Sequence, residues 1–101
     1  MYVEGVVTGP TGIARTVTFL VDSGARYSLL APDDWLAIGL APRRRMTFVL
    51  VDGTRIERDL SECHIRLAQG DGHTPVILGE TGDKALLGAA ALAAAARLRT
   101  P

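Results

Sequence analysis

The chain has 101 residues, with 11 basic and 11 acidic side chains and a formal net charge of zero. That length suits one modest hydrophobic core, and the balanced charge gives no global attraction to nucleic acid or to an anionic membrane. No apolar run approaches the ~20 residues of a membrane span, the first residues lack the pattern of a signal peptide, and the single Cys63 leaves no internal disulfide.

The expectation is therefore one domain over residues 1–101, in the cytoplasm. Tyr2–Thr8 and Ala14–Val21 are rich in Val, Thr, Tyr and Phe, and Gly9-Pro10-Thr11-Gly12 between them is a dense turn signal. Together they predict a β-hairpin. Its second strand runs Phe19-Leu20-Val21 straight into Asp22. A carboxylate at the buried end of an apolar strand is costly unless something uses or satisfies it. Ser23-Gly24 then turns the chain sharply.

Tyr27–Leu30 reads as a short apolar strand leading away from the acid. Pro32–Gly39 reads as a short helix: proline suits the first turn, Asp33 and Asp34 complement the dipole, and Gly39 suits the exit. Trp35 and Ile38, three apart, face the core. Pro42-Arg43-Arg44-Arg45 reads as a solvated connection. Met46–Val51 and Thr54–Asp59 are two more strands, joined at Asp52-Gly53, a strong hairpin signal. Leu60–Leu67 reads as a further alternating strand with Cys63, Ile65 and Leu67 on one face, Cys63 being a core hydrophobe rather than a nucleophile.

Gln69–His73 reads as a loop, Thr74–Leu78 as a buried strand, Gly79–Asp83 as a turn and Ala85–Gly88 as a last apolar segment. Ala89–Ala96, alanine at every position but Leu92, is excellent helix composition with little bulk to pack. Six or seven short strands with one or two short helices predict an all-β fold, a small closed barrel. His64 and His73, nine apart, offer no metal-ligand spacing. Gly9–Gly12 joins strands rather than opening a helix, as a phosphate loop would. No metal or other cofactor is expected.

Four stretches in this order carry a family resemblance. They are Asp22-Ser23-Gly24-Ala25 at the end of an apolar strand, Val51-Asp52-Gly53-Thr54 in mid-chain, Pro75-Val76-Ile77-Leu78-Gly79, and Leu86-Leu87-Gly88 before a helix. The chain up to Gly88 resembles the retropepsin-like aspartic proteases, which include retroviral enzymes and small single-domain bacterial relatives, and is closest in character to the bacterial type. The resemblance implies a barrel of the retropepsin type, with Asp22 as the catalytic acid and Ser23, Gly24 and Ala25 supporting its loop. It makes Val51–Thr54 a flap closing over an extended peptide. Arg26 and Tyr27 stand where retroviral members often carry acids.

Metal-free peptide hydrolysis needs a base to activate water and an acid to protonate the carbonyl oxygen. Two neighbouring carboxyls that share one proton supply both. The sequence holds one such motif, so the resemblance implies a homodimer with Asp22 of each copy on a two-fold axis. The competing expectation is a non-catalytic peptide-binding or dimerisation module on the same fold.

Overall fold

The computed structural model describes residues 1–50 and 52–97. Seven strands and two helices follow in the order β1 (Tyr2–Thr8), β2 (Ala14–Val21), β3 (Ser28–Leu30), α1 (Pro32–Ala37), β4 (Arg44–Val49), β5 (Arg55–Leu67), β6 (Gly70–Leu78), β7 (Leu86–Leu87) and α2 (Ala89–Arg97). The sheet order is β1-β2-β7-β3-β6-β5-β4, and β1 also pairs with β5. That last pairing closes six strands into a ring and leaves β4 outside it, attached to β5 alone.

The predicted hairpin of β1 and β2 forms as expected, in antiparallel register from Tyr2↔Leu20 to Thr8↔Ala14. Alternation along β2 sends Val17 and Phe19 inward and leaves Thr16, Thr18 and Leu20 outside. Phe19, Leu30, Ile38, Ile65, Val76 and Leu87 meet in the core of the ring. At about 25 cal/mol per Å² of buried apolar surface, each contributes roughly 1.5–3 kcal/mol. The expected helix also forms. Gly39 follows it at φ +76°, a conformation that favours glycine, and the Trp35 indole N–H donates to the Gly79 carbonyl at 2.9 Å.

Three expectations need correction. Arg55–Leu67 is one 13-residue strand, not two. It contains neither Gly nor Pro, so nothing interrupts it, and ~3.3 Å per residue makes it ~43 Å long, matching the molecule's 42 Å long axis. Its first half pairs with β4 and its second with β6 and β1.

Gln69–His73 is not a loop, because β6 begins at Gly70. The glycine at position 72 serves helix packing instead: a Cβ there would lie 3.0 Å from the Ala94 carbonyl oxygen. The alanines are the matching surface. Ala91, Ala94 and Ala95 form one buried helix face, and small side chains on both partners let α2 sit close against β6.

Arg44 and Arg45 are not a connection but the start of β4. Arg45 reaches Glu57 at 3.2 Å and Asp59 at 3.1 Å across to β5, so opposite charges tie the outer strand to its neighbour.

Candidate active site

Asp22 follows the last residue of β2, and its position is set from below. β2 runs parallel to β7, with Val21 opposite Leu87, and the Asp22 N–H donates to the Leu87 carbonyl at 2.9 Å. The Asp22 carbonyl accepts the Ala25 N–H at 3.1 Å, closing a tight turn. Within that turn the Gly24 N–H donates to Asp22 Oδ1 at 3.2 Å. One carboxylate oxygen is therefore held by its own loop while the side chain stays exposed.

The far half of the loop is fastened to α2. The Ala89 and Ala90 N–H groups donate to the Ala25 and Arg26 carbonyls at 2.8 and 3.0 Å. These helix-start donors would otherwise lack intrahelical partners. Gly88 makes the approach possible, since a Cβ there would lie 2.6 Å from the Tyr27 carbonyl carbon and oxygen. Its own N–H donates to the Ser28 hydroxyl at 2.9 Å. Ser28 is fully buried, and a buried hydroxyl needs such a partner. The sequence reading did not single out Ser28, although a serine heading an apolar strand is the kind of signal that could have.

Asp22, Gly24 and Ala25 line one wall of an open groove of about 710 Å³. The other wall is Met46, Phe48, Val49 and Leu50, from β4 and the turn after it, with Ile77 of β6 at the base. Ile77 faces the groove, while Val76 and Leu78, on the other face of β6, point into the core. The Tyr27 and Phe48 rings meet edge to face, centroids 6.2 Å apart at 82°. This contact bridges the Asp22 loop and β4, two segments that sequence reasoning did not connect.

Ser23 is exposed and does not line the groove. Of the expected flap residues, Val51 lies outside the described residues. Asp52, Gly53 and Thr54 form an exposed tip and do not line the groove either. The tip is ordered by the Gly53 N–H donating to the Leu50 carbonyl at 2.9 Å, with Gly53 at φ +87°. The Thr54 N–H donates to Asp52 Oδ1 at 2.9 Å. Hydrogen bonds from the Thr54 hydroxyl and N–H hold the Asp52 carboxyl below its ordinary pKa.

Elsewhere, Cys63 is buried at 3% exposure, and that burial pushes its thiol up to about 12, which leaves it un-ionised and unreactive near neutrality. His64 Nε2 lies 2.6 Å from Asp71 Oδ2, a satisfied polar pair on the outer surface of β5 and β6.

The closed strand ring, the parallel β2–β7 step beneath Asp22, and a helix seated on the motif loop define a retropepsin-like all-β fold. Among solved structures, the fold is similar to the solution structure of the simian foamy virus (mac) protease. The identity is 17%, the TM-score 0.63, and the match covers 100% of this chain and 99% of that one. No protein-family model matches the sequence, and no curated protein does.

Proposed function

We propose that two copies of this chain form an aspartic endopeptidase, with one Asp22 from each copy making a shared catalytic pair. The observation that carries the reading is the exposed Asp22 carboxyl at the wall of an apolar groove, on a loop fastened to β7 and α2. Preorganisation of that kind is what a positioned acid–base group requires. The fold likeness to a retroviral protease agrees with it.

In the proposed dimer the two carboxyls share one proton, because both cannot ionise cheaply at close range. The ionised one takes a proton from water, whose oxygen attacks the peptide carbonyl carbon. The protonated one gives its proton to the carbonyl oxygen. Collapse of the tetrahedral species then breaks the C–N bond, and the amine leaves with a proton from the pair. Ser23 would hydrogen-bond across the two-fold axis and hold the loops in register. The β4–β5 hairpin would close over an extended peptide, exclude water and pair with its backbone.

A second surface supports the dimer. Met1, Val3, Val21, Leu87 and Leu92, together with the charged Glu4 and Arg66, line a largely apolar depression of about 820 Å³ beside the Asp22 loop. Met1 in its lining is 84% exposed. Exposed apolar surface of this kind marks an interaction site.

The test combines mass with turnover. The reading expects a dimer by sedimentation, and cleavage of an unstructured protein at mildly acidic pH. Asp22→Asn should remove the cleavage while preserving the dimer. A strict monomer, or cleavage unchanged by Asp22→Asn, overturns it. A dimer that binds peptide without cutting it would favour the non-catalytic module.

A further inference from the structure

The groove beside Asp22 is apolar apart from one cation. Asp22 and Arg26 are its only lining residues, among those described, with fully charged side chains. Arg26 is exposed, and none of the five ion pairs among the described residues involves it. Its guanidinium carbon lies 5.8 Å from the Tyr27 ring centroid. That ring is in turn braced edge to face by Phe48. A guanidinium held over an aromatic face is oriented by it and keeps its planar N–H edge free for a carboxylate, the geometry Arg binds in bidentate fashion.

We propose that Arg26 forms a subsite for a carboxylate of the peptide substrate, so that the groove takes chains apolar at the cleaved bond and acidic a few residues away. This rests on the endopeptidase reading. The charge balance of the proposed dimer favours it: two Arg26 contribute +2, and a proton-sharing Asp22 pair contributes −1, leaving the shared groove with a net +1 that attracts anionic chains. The chain from Asp22 to Arg26 spans at most ~14 Å, about four residues of extended peptide. The two-fold axis provides one subsite on each side of the cleaved bond.

The test uses the Asp22→Asn protein, which binds without turnover, and fluorescent peptides that differ only by Glu or Gln at successive positions. The expected result is tighter binding of the Glu peptide, by roughly two- to fivefold, within about four positions of the centre, with the advantage shrinking in high salt. Adding Arg26→Met should abolish the difference, and adding Arg26→Glu should make a Lys peptide the better ligand.

Equal binding of Glu and Gln peptides at every position overturns the subsite. Loss of the dimer on Arg26→Met also overturns it, since Arg26 would then serve a partner-chain acid. The two readings fail separately. Wild-type protein that cuts peptides with no Glu preference sinks the subsite alone. Protein with an Arg26-dependent Glu preference that never cuts sinks the peptidase and leaves the subsite standing.

Discussion

Replacing Gly88 by alanine should unseat the Asp22 loop. The added methyl carbon would lie 2.6 Å from the Tyr27 carbonyl carbon and oxygen and 2.9 Å from the Ala25 carbonyl oxygen. Ordinary contact begins at 3.4 Å, so the neighbours must recede by 3.4 − 2.6 = 0.8 Å. All three atoms are backbone, and the Ala25 carbonyl is held by the Ala89 N–H at 2.8 Å, so no side-chain rotation relieves the clash. Overpacking of this kind costs about 1–3 kcal/mol, and disturbing a hydrogen bond adds about 1 kcal/mol. For a chain of this size each kcal/mol lowers Tm by about 4–8 °C. Together these come to about 2–4 kcal/mol, so Gly88→Ala should melt roughly 8–30 °C below wild type. In the folded variant, amide shifts should concentrate at residues 25–28 and 89–90. Gly53→Ala is the comparison: its Cβ meets nothing within 4 Å, so only the positive φ is strained, at about 1–2 kcal/mol. Wild-type stability of Gly88→Ala, with the loop amides unmoved, would refute the seating of the loop on Gly88.

Ser28→Ala removes the acceptor for the Gly88 N–H and should cost about 1–3 kcal/mol in urea unfolding, the penalty of a buried unsatisfied donor; a change near zero would mean the bond contributes nothing. Ala94→Leu should destabilise by about 1–3 kcal/mol through overpacking, because Ala94 is 5% exposed and its carbonyl would lie 3.0 Å from a Cβ on Gly72; a stabilised variant would show that α2 is not close-packed on β6. Cys63 sets a pH dependence. Its thiol keeps its proton to about 12 in the folded chain, against 9.0 as the ordinary value. The unfolded chain therefore loses that proton first, and stability should fall as pH rises from about 9 to 12, by up to about 1.4 kcal/mol per pH unit. Subtracting the profile of Cys63→Ala isolates this component, and identical profiles would contradict it.

How far the sequence reached depended on the range of each interaction. The β1–β2 hairpin was legible to the residue because strand composition and a four-residue turn signal are both local. The α1 helix was legible for the same reason, from Pro32, the two acids and Gly39. The break expected near Asp59 was misplaced because alternating segments can be either one strand or two. Only the long-range pairings of β5 with β4, β6 and β1 resolve that choice. The glycines in β6 looked like a loop because the helix they admit is about 20 residues further along the chain. Asp22 stood out through the conflict between a charge and its apolar strand. Its groove partners Met46 and Phe48 did not, since nothing local predicts that β4 lies across from the Asp22 loop. Arg44 and Arg45 are exposed, as a solvated stretch would be; their place in a strand follows from pairing with Leu60 and Asp59 of β5, which proximity in sequence does not reveal.

In the proposed enzyme, one working site is made from two chains. Titrating the protein with a statine-type transition-state mimic, which binds far more tightly than substrate, counts those sites directly. A single mimic bound per two chains, with its affinity falling on Asp22→Asn to about that of an ordinary peptide, is the predicted result. One mimic per chain, or saturation that ignores Asp22→Asn, would contradict the shared carboxyl pair.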